Sequence, residues 1–452
     1  MIKLCQNIKL KLAEAPAAVA GSLLIKNISV ITMTDDNILP SQDVLIEGSR
    51  ITKIVPNKNS TLMADEQIDG TGKYLMPGLF DMHAHIHDEP ILDLFLMNGI
   101  TGIRDLGSTT NIFKRREDIA EGKQIGPRLF VSGKILEGDP PLWDGFYVIK
   151  TKKQAIDTVH WLKDLKADQV KVYHTLKPEI HKAIIAESHK LGLKVAGHVP
   201  TDITTAEALN LGQDCIEHYH DGWYFGDIEY EPATEPEYKK IGFNRFTGYK
   251  INQQKLNDLI EAYKDHDTYM CPTLIVDQQI VKLADYPKLV KETDLRYVDS
   301  KYVEEYWNPN SQNAAANIKG NNPLYFENIG VVYRGSLPAL KKLKKVTTIL
   351  AGSDTPNPFV VPGFSLHQEL KLLVEAGLTN YEALQAATTN ATKYLEVNDE
   401  LGTVEPGKTA NLIILKKNPL EDIKNTTTID TVILNGQLYS QKSLAKRAQL
   451  KN

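Results

Sequence analysis

The chain has 452 residues, of which 42% are hydrophobic and 24% are charged, a composition typical of folded globular proteins. Its 52 basic and 57 acidic residues give a formal net charge of −5, which indicates no basic surface for nucleic acid or an anionic membrane. Three cysteines without a C-x-x-C spacing indicate neither a disulfide framework nor a zinc finger. Any metal site would therefore use histidine, carboxylate or a modified lysine.

Targeting signals are weak at the N-terminus. Residues 12–24 are apolar and follow several lysines, but Glu14 and Pro16 interrupt them and the stretch is too short to span a bilayer. We therefore predict a cytoplasmic protein without membrane association. An exported form, or a form lipid-anchored through Cys5, is the alternative.

Both ends of the chain are predicted to be β-rich. Residues 23–33 are rich in branched side chains, and residues 43–55 form two strand-like stretches around a turn at residues 47–50, as in a β-hairpin. Residues 402–439 have a similar pattern of predicted strands, with short apolar runs separated by Pro-Gly and Asn-Gly. We predict one small β-sandwich domain built from both termini, residues 20–76 and 400–445.

The middle of the chain alternates short apolar strands with amphipathic helices such as 152–165 and 178–191. The predicted strands are GLFDMHAH, GITGIRDL, RLFVSG, DQVKVYH, KVAGHVP, DCIEHY, TYMCPTLIV and VTTILAGSD. Eight βα units favour a (β/α)8 TIM barrel over residues 77–399. An open doubly wound sheet is the alternative, but no G-x-G-x-x-G follows the first strand. The predicted fold class is thus α/β.

Two connections are too long for simple loops. The first, at about 220–250, is rich in tyrosine, phenylalanine and tryptophan, and the second, at about 277–330, contains a polar stretch. Long connections in compact domains are usually functional or disordered. We interpret both as insertions, which form either a lid or pocket wall, or else a peripheral helical insert or oligomer contact.

The first candidate functional residues along the chain are His83 and His85. Residues two apart on a strand point to the same face, so both imidazoles would project together from the end of the first barrel strand. His198, His218 and Asp354 end later apolar runs in the same way. The carboxyl ends of barrel strands are where catalytic groups collect, and imidazole with carboxylate is a ligand set for divalent metals. These five residues therefore predict a metal site.

Lys171 lies within an apolar barrel strand, where an unpaired ammonium group is costly to bury. A neutral amine at this position could react with carbon dioxide to form a carbamate, which would act as a carboxylate-like metal ligand. The alternatives are pairing with a carboxylate or a side chain whose tip reaches solvent.

The order of motifs resembles the amidohydrolase superfamily, in particular its imidazolonepropionase-related and prolidase-like branch, which includes Xaa-Pro and Xaa-Arg dipeptidases. The matching segments are PGLFDMHAH, GITGIRDLG, GPRLFVSG, VKVY, AGHV, IEHY, CPTL and AGSDTP, and the C-terminal segment LGTVEPGKTANLIIL also matches. The resemblance covers nearly all of residues 25–440. It implies a hydrolase of C–N bonds with two divalent metal ions, of which zinc is the expected type.

The resemblance also implies roles for the predicted ligands. His83, His85 and Asp354 would hold one metal, and His198 and His218 the second. Lys171, carboxylated on its side-chain nitrogen, would bridge them. A metal-bound hydroxide would be the nucleophile, and Asp354 would accept its proton and pass it to the leaving amine.

Two tyrosines are candidate catalytic donors. Tyr219 follows a predicted ligand directly, and Tyr173 lies two residues after Lys171 on the same strand face. Either phenol could hydrogen-bond the oxyanion or a substrate carboxylate, or pack in the barrel wall. Arg104 and Asp105 are expected to form a structural pair.

The expected substrate is a small molecule: a dipeptide, an N-acyl amino acid or a related amide. Residues 134–146 carry acidic residues where dipeptidase-like members have a glycine- and histidine-rich segment, which weighs against a dipeptide and favours a cationic or neutral substrate. The alternative function is a one-metal hydrolase or deaminase of a cyclic C–N substrate, imidazolonepropionase-like, with Lys171 unmodified. A catalytically inactive barrel is a third reading, but the chain retains every predicted ligand. A homo-oligomer is the default expectation.

Overall fold

The computed structural model describes residues 21–86, 90–141, 145–218, 253–292, 295–311 and 325–448. The predictions for Tyr219 and for the first insertion, 220–250, lie outside the described residues.

The elements are as follows, in chain order. The strands are β1 (Ser22–Ile31), β2 (Ile38–Glu47), β3 (Arg50–Pro56), β4 (Glu66–Asp69), β5 (Tyr74–Pro77), β6 (Leu79–Ala84), β7 (Ile100–Asp105), β8 (Arg128–Val131), β9 (Ile135–Glu137), β10 (Tyr147–Val148), β11 (Gln169–Val172), β12 (Lys194–Gly197), β13 (Cys215–Glu217), β14 (Tyr269–Cys271), β15 (Thr348–Ile349), β16 (Leu412–Leu415), β17 (Ile429–Leu434) and β18 (Gln437–Ser440). The α-helices are α1 (Pro90–Met97), α2 (Asn111–Ala120), α3 (Lys152–Asp164), α4 (Pro178–Lys190), α5 (Thr205–Leu211), α6 (Gln253–Lys264), α7 (Leu274–Lys282), α8 (Tyr286–Glu292), α9 (Ser300–Tyr302), α10 (Tyr325–Leu343), α11 (Phe364–Glu375), α12 (Asn380–Ala386), α13 (Thr389–Tyr394) and α14 (Gln441–Ala448). Short 3-10 turns occupy Asn57–Asn59, Leu283–Asp285 and Ile423–Thr427, and a π-helical turn occupies Val303–Trp307.

The two ends of the chain share one sheet. Its strand order is β18-β17-β16-β5-β1-β2-β3, with β4 beside β1, and the C-terminal β16 pairs antiparallel with the N-terminal β5. The β17–β18 turn, Asn435 and Gly436, has positive φ at both residues, as tight hairpins require. The predicted association of the two termini is thus present, while their arrangement as a two-layer sandwich stays a prediction.

The middle of the chain forms parallel strands. One sheet has the order β10-β9-β11-β12-β13-β14-β15 and a second has the order β6-β7-β8, and every strand pair in both is parallel. The eight predicted strands correspond to β6, β7, β8 and β11 to β15. Short strands β9 and β10 also form within and just after residues 134–146, where the motif comparison suggested only a loop.

Backbone hydrogen bonds connect the two parallel sheets at both edges. The Met82 N–H donates to the Ala351 carbonyl, so β6 lies beside the segment that follows β15. The Asp168 N–H donates to the Val131 carbonyl, so the start of β11 lies beside β8. The two parallel sheets are therefore hydrogen-bonded to each other, which fits a TIM-barrel-like α/β domain.

The connection after β14 is helical where it is described. Helix α8, the 3-10 turn before it and the π-helical turn pack around a separate apolar cluster that includes Leu283, Trp307 and Phe359. Phe359 belongs to the segment between β15 and α11, so this insertion rests on the chain that follows Asp354. None of the described helices has both the length and the apolar composition needed to cross a membrane.

Candidate metal centre

Three predicted ligands meet at the junction of β6 and β15. The Nε2 atom of His85 lies 3.0 Å from Oδ1 of Asp354, and the Nε2 atom of His83 lies 3.3 Å from the same oxygen. Both histidines come from the end of β6, as the two-residue spacing predicted. His83 and Asp354 are almost completely buried. This arrangement places two imidazole nitrogens and one carboxylate around a common point.

The second pair of predicted histidines lies next to this point. The Nε2 atom of His218, directly after β13, lies 3.8 Å from Oδ2 of Asp354. His198, directly after β12, has its ring centre 4.4 Å from that of His218. The ligand atoms of His83, His218 and Asp354 all lie within 4.8 Å of one another. The described residues therefore contain a group that could hold a divalent metal.

Lys171 lies on β11 with no solvent-exposed surface. Burial lowers the pKa of His83, His198 and His218, and the charge of Lys171 lowers it further. In the register of the parallel sheet, Lys171 lies opposite Ala196, two residues before His198. The structure thus brings Lys171 to the predicted centre.

Three of the four predicted histidine ligands are held through their other ring nitrogen. The Nδ1 atom of His83 lies 2.8 Å from Oε2 of Glu217, and that of His85 lies 3.0 Å from the Gly107 carbonyl. The Nδ1 atom of His218 lies 2.6 Å from Oγ1 of Thr273. Metal-binding histidines almost always donate their other N–H to such an acceptor, which fixes the tautomer and leaves Nε2 for the metal.

The protonation states suit cation binding. Burial lowers the pKa of His83 to about 4 and that of His218 to about 3, so both rings are neutral near pH 7. Burial alone would raise the pKa of Asp354, but His83 and His85 outweigh it and hold that pKa below its ordinary range. Neutral imidazole and ionised carboxylate are the forms that bind metals. His83, His218 and Asp354 therefore fit a divalent metal ion. Burial would lower the pKa of His85, but Asp354 outweighs it and raises that pKa.

A second group of three potential ligands consists of His83, Glu217 and Cys271. The Nη2 atom of Arg104 donates to Oε1 of Glu217 at 2.7 Å, so the carboxylate already has a cationic partner. Burial raises the pKa of the Cys271 thiol well above its usual value, which keeps it protonated and a poor ligand. We therefore interpret this group as support for His83.

The expected pair of Arg104 with Asp105 is wrong. Arg104 bonds Glu217 and the Met82 carbonyl, whereas Asp105 accepts hydrogen bonds from the Ile86 N–H and the Ser108 hydroxyl. Neighbouring residues on a strand point to opposite faces, so the side chains of Arg104 and Asp105 do not pair with each other. Glu217 was missed from the sequence, although its place next to His218 in IEHY could have drawn attention to it.

Three residues at or next to the centre have a strained backbone. His218, Thr273 and Asp354 have φ values of 66°, 46° and 57°, in the left-handed region that residues with a Cβ rarely adopt. They follow three consecutive strands of the parallel sheet. Such strain persists only where surrounding contacts enforce it, and it is commonly found at functional sites.

Tyr173 lies beside the predicted ligands. Its ring centre is 4.1 Å from that of His198 and 5.0 Å from that of Phe146. The next residue, His174, is buried and its ring centre lies 4.2 Å from that of His198. His174 was missed, although it ends the predicted strand DQVKVYH and so lies at a strand end like the predicted ligands.

The acidic segment after β8 does not present all its charges to the centre. Glu137 is completely buried, and its Oε1 accepts hydrogen bonds from the N–H and the hydroxyl of Thr175. Asp139 forms an exposed ion pair with Lys150 at 2.9 Å. Glu137 therefore holds the segment in place. Its charge does not support the expected preference for cationic or neutral substrates.

Comparison with known proteins identifies the family. Residues 74–439, well over half of the chain, match the Amidohydrolase family. The chain belongs to this family. It is a hydrolytic enzyme that acts on C–N bonds, as the motif order predicted.

The relatives and solved structures that match most of this chain have names that describe different reactions. Over 461 residues the chain is 23% identical to 5-methylthioadenosine/S-adenosylhomocysteine deaminase of Caldanaerobacter subterraneus subsp. tengcongensis (strain DSM 15242 / JCM 11007 / NBRC 100824 / MB4), covering 93% of both chains. A putative prolidase from Bifidobacterium longum has the same fold, with a TM-score of 0.69, 22% identity and coverage of 96% of this chain and 100% of the other. A Xaa-Pro dipeptidase with bound methionine gives a TM-score of 0.67 and 21% identity over 93% of this chain and 100% of the other. These likenesses support a TIM-barrel-like α/β domain.

Proposed function

We propose that this amidohydrolase cleaves a small amide, such as an N-acyl amino acid or a dipeptide, at a centre of two divalent metal ions. The observation that carries the proposal is the convergence of the Nε2 atoms of His83, His85 and His218 on the carboxylate of Asp354. The prolidase and dipeptidase that share this fold support the amide class of substrate. Zinc is the proposed metal because imidazole and carboxylate are its usual ligands.

The ligands divide between two ions in the proposal. His83, His85 and Asp354 would hold the first ion, and His198 and His218 the second. Lys171 would bridge both as a carbamate. Its complete burial next to the histidine rings supports this role, because a carbamate supplies negative charge where a lysine ammonium would repel the metals.

Divalent ions supply Lewis acidity, which lowers the pKa of water toward neutrality and polarises a carbonyl. Asp354 would accept the proton of the attacking water and transfer it to the leaving nitrogen. Its lowered pKa keeps it in the ionised form that a proton acceptor must have. Tyr173, whose ring contacts that of His198, and Tyr219 are the proposed donors to the oxyanion or the substrate carboxylate.

Substrate class is tested with the purified, zinc-loaded protein. N-acyl amino acids, dipeptides, cyclic amides and 5-methylthioadenosine are assayed in parallel for release of amine and of ammonia. We expect amine release from at least one of the amides. Ammonia release from the purine nucleoside, without turnover of any amide, would overturn the amide proposal.

The metal centre is tested through Lys171 and Asp354. We expect two zinc ions per wild-type chain, and Lys171→Ala should lose activity together with metal and regain part of both with short carboxylic acids. Asp354→Asn should lower kcat by about 10²- to 10⁴-fold, the range for loss of a general acid–base group. Lys194→Ala, at the start of β12 and paired with Glu396, is the control. One firmly bound metal and an active Lys171→Ala variant would contradict the two-metal proposal.

A second candidate is a one-metal deaminase or hydrolase of a cyclic C–N substrate. The full-length similarity to a nucleoside deaminase favours it. In this case His83, His85, His218 and Asp354 could serve a single ion, and Lys171 would remain an unmodified lysine. The metal count per chain, together with the ammonia assay, separates the two candidates.

A further inference from the structure

Thr273 occupies a strained position between β14 and α7. It directly precedes the helix and has φ 46° and ψ 44°. A β-branched residue is rarely found in this left-handed region, because its Cβ crowds the backbone. The conformation therefore needs specific contacts to hold it.

The Thr273 hydroxyl does not cap the helix that it precedes. A threonine at this position normally has an extended backbone, and its hydroxyl accepts a hydrogen bond from an N–H in the first turn. Thr273 makes no such bond. Its Oγ1 lies instead 2.6 Å from Nδ1 of His218. With Nε2 of His218 directed toward Asp354, Nδ1 carries the proton and donates it to the threonine oxygen.

Glu369 supplies the missing cap. This completely buried residue of α11 accepts hydrogen bonds from the Leu274 N–H at 3.1 Å and from the Ile275 N–H at 2.8 Å. Both N–H groups belong to the first turn of α7, where no partner exists within the helix. The oxygens of the carboxyl group thus satisfy the donors that a capping threonine would otherwise serve.

We infer that Glu369 is a positioning residue of the metal centre, which caps α7 in place of Thr273 and so leaves the Thr273 hydroxyl to orient His218. The inference rests on the proposed role of His218 as a metal ligand. Without Glu369, the Ile275 N–H, a donor that an N-terminal threonine normally caps, would compete for the Thr273 oxygen. His218 would then lose the contact that fixes its ring.

The test measures zinc affinity by competition with a chelator. Thr273→Val, which removes the hydroxyl but keeps the shape, should weaken zinc binding by about 10- to 100-fold, as loss of such outer contacts does. Thr273→Ser should restore it. Glu369→Gln should weaken binding as well, because an amide group can accept only one of the two N–H bonds. Adding Glu369→Gln to Thr273→Val should cause no further loss, because the hydroxyl is already absent.

Two controls separate positioning from general destabilisation. Thr268→Val removes a buried hydroxyl just before β14 that donates to the Gln213 carbonyl. Glu382→Gln alters a carboxylate that accepts the Thr379 N–H at the start of α12. Both should lower the free energy of unfolding without changing zinc affinity, and circular dichroism should show every variant folded.

Four results would contradict the inference. Wild-type zinc affinity in Thr273→Val, or additive losses in the double variant, would overturn the inference. Affinity losses in the two control variants equal to those at Thr273 would overturn it too, because they would make the effect a general one. If the wild-type chain binds no zinc, the proposed function itself fails, and the inference fails with it.

Discussion

At the scale of single residues, the buried charge of Arg104 supports the candidate centre. Its guanidinium donates to Glu217, whose other carboxylate oxygen faces His83, and it also lies 4.8 Å from the centre of the Tyr394 ring. Burial by itself would raise the pKa of Glu217, but Arg104 and His83 hold it below its ordinary range. Glu217 therefore stays ionised where it orients His83.

Removing Arg104 should show how far the stability of the protein depends on compensation of the buried Glu217 charge. Arg104→Met leaves the Glu217 charge uncompensated in the core, and we expect a loss of about 3–5 kcal/mol in the free energy of unfolding, measured with urea. The double variant Arg104→Met/Glu217→Gln should lose less, since no buried charge remains. Arg116→Met breaks a partly exposed ion pair with Asp168 and should cost at most about 1 kcal/mol. Equal losses in the single and double variants would show that the charge is not responsible.

At the scale of elements, His181 links helix α4 to two barrel strands. It is completely buried, and its Nε2 donates to the side-chain oxygen of Gln213 at 3.0 Å. The amide of Gln213 in turn donates to the carbonyls of Gly197 at 2.9 Å and Cys215 at 3.2 Å. This connection joins the helix to the end of β12 and the start of β13, which precede His198 and His218.

The buried His181 should make the free energy of unfolding depend on pH. Burial lowers the pKa of His181 to about 4, below the ordinary value of 6.5 that applies to the unfolded chain. Between these values only the unfolded state takes up the proton, so stability falls as the pH drops from 6.5 toward 4 and levels off below. His181→Gln should remove this contribution, which is up to about 3 kcal/mol because one pKa unit corresponds to about 1.4 kcal/mol.

The comparison requires urea unfolding of both proteins at several pH values. His160→Gln, on the exposed side of α3, is the control for introducing glutamine into a neighbouring helix. Buried His367 has a pKa that burial lowers to about 4 as well, so part of the pH dependence should remain in His181→Gln. An unchanged slope between pH 6.5 and pH 4 would contradict the prediction.

At the scale of the whole molecule, the C-terminal segment packs against the N-terminal strands and the first helix. Strand β16 lies between β5 and β17 in the shared sheet, and α14 packs on α1 through an ion pair between Arg447 and Asp93. The C-terminal segment therefore contacts both the terminal sheet and the first helix of the barrel-like region. The domain limits of 20–76 with 400–445, and of 77–399, remain predictions.

Removing this segment should destabilise the entire protein. Deletion of residues 405–452 takes away β16 to β18 and exposes apolar residues such as Leu75 and Val30, which pack in the core of the shared sheet. We expect insoluble protein or loss of a cooperative unfolding transition, measured by calorimetry. Deletion of residues 449–452 alone is the control and should leave the transition unchanged. A soluble shortened chain with a wild-type melting temperature would contradict this expectation.

Much of the candidate site could be predicted from the sequence, because strand geometry is local. The spacing of His83 and His85 places them on one face, and an apolar run that ends in His218 or Asp354 already indicates a polar group at a strand end. The structure brings these residues together, and the match to the Amidohydrolase family confirms the family resemblance on which their roles depend.

The sequence by itself determined the repeating βα pattern and the class of enzyme, and it predicted which residues would hold a metal. Only the tertiary structure decided which groups hold them: Glu217 pairs with Arg104, 113 positions away, and Thr273 contacts His218, 55 positions away. Short-range patterns report which face a side chain occupies but not what lies opposite it. That choice follows from the packing of distant strands, which places each buried polar group where a partner satisfies it.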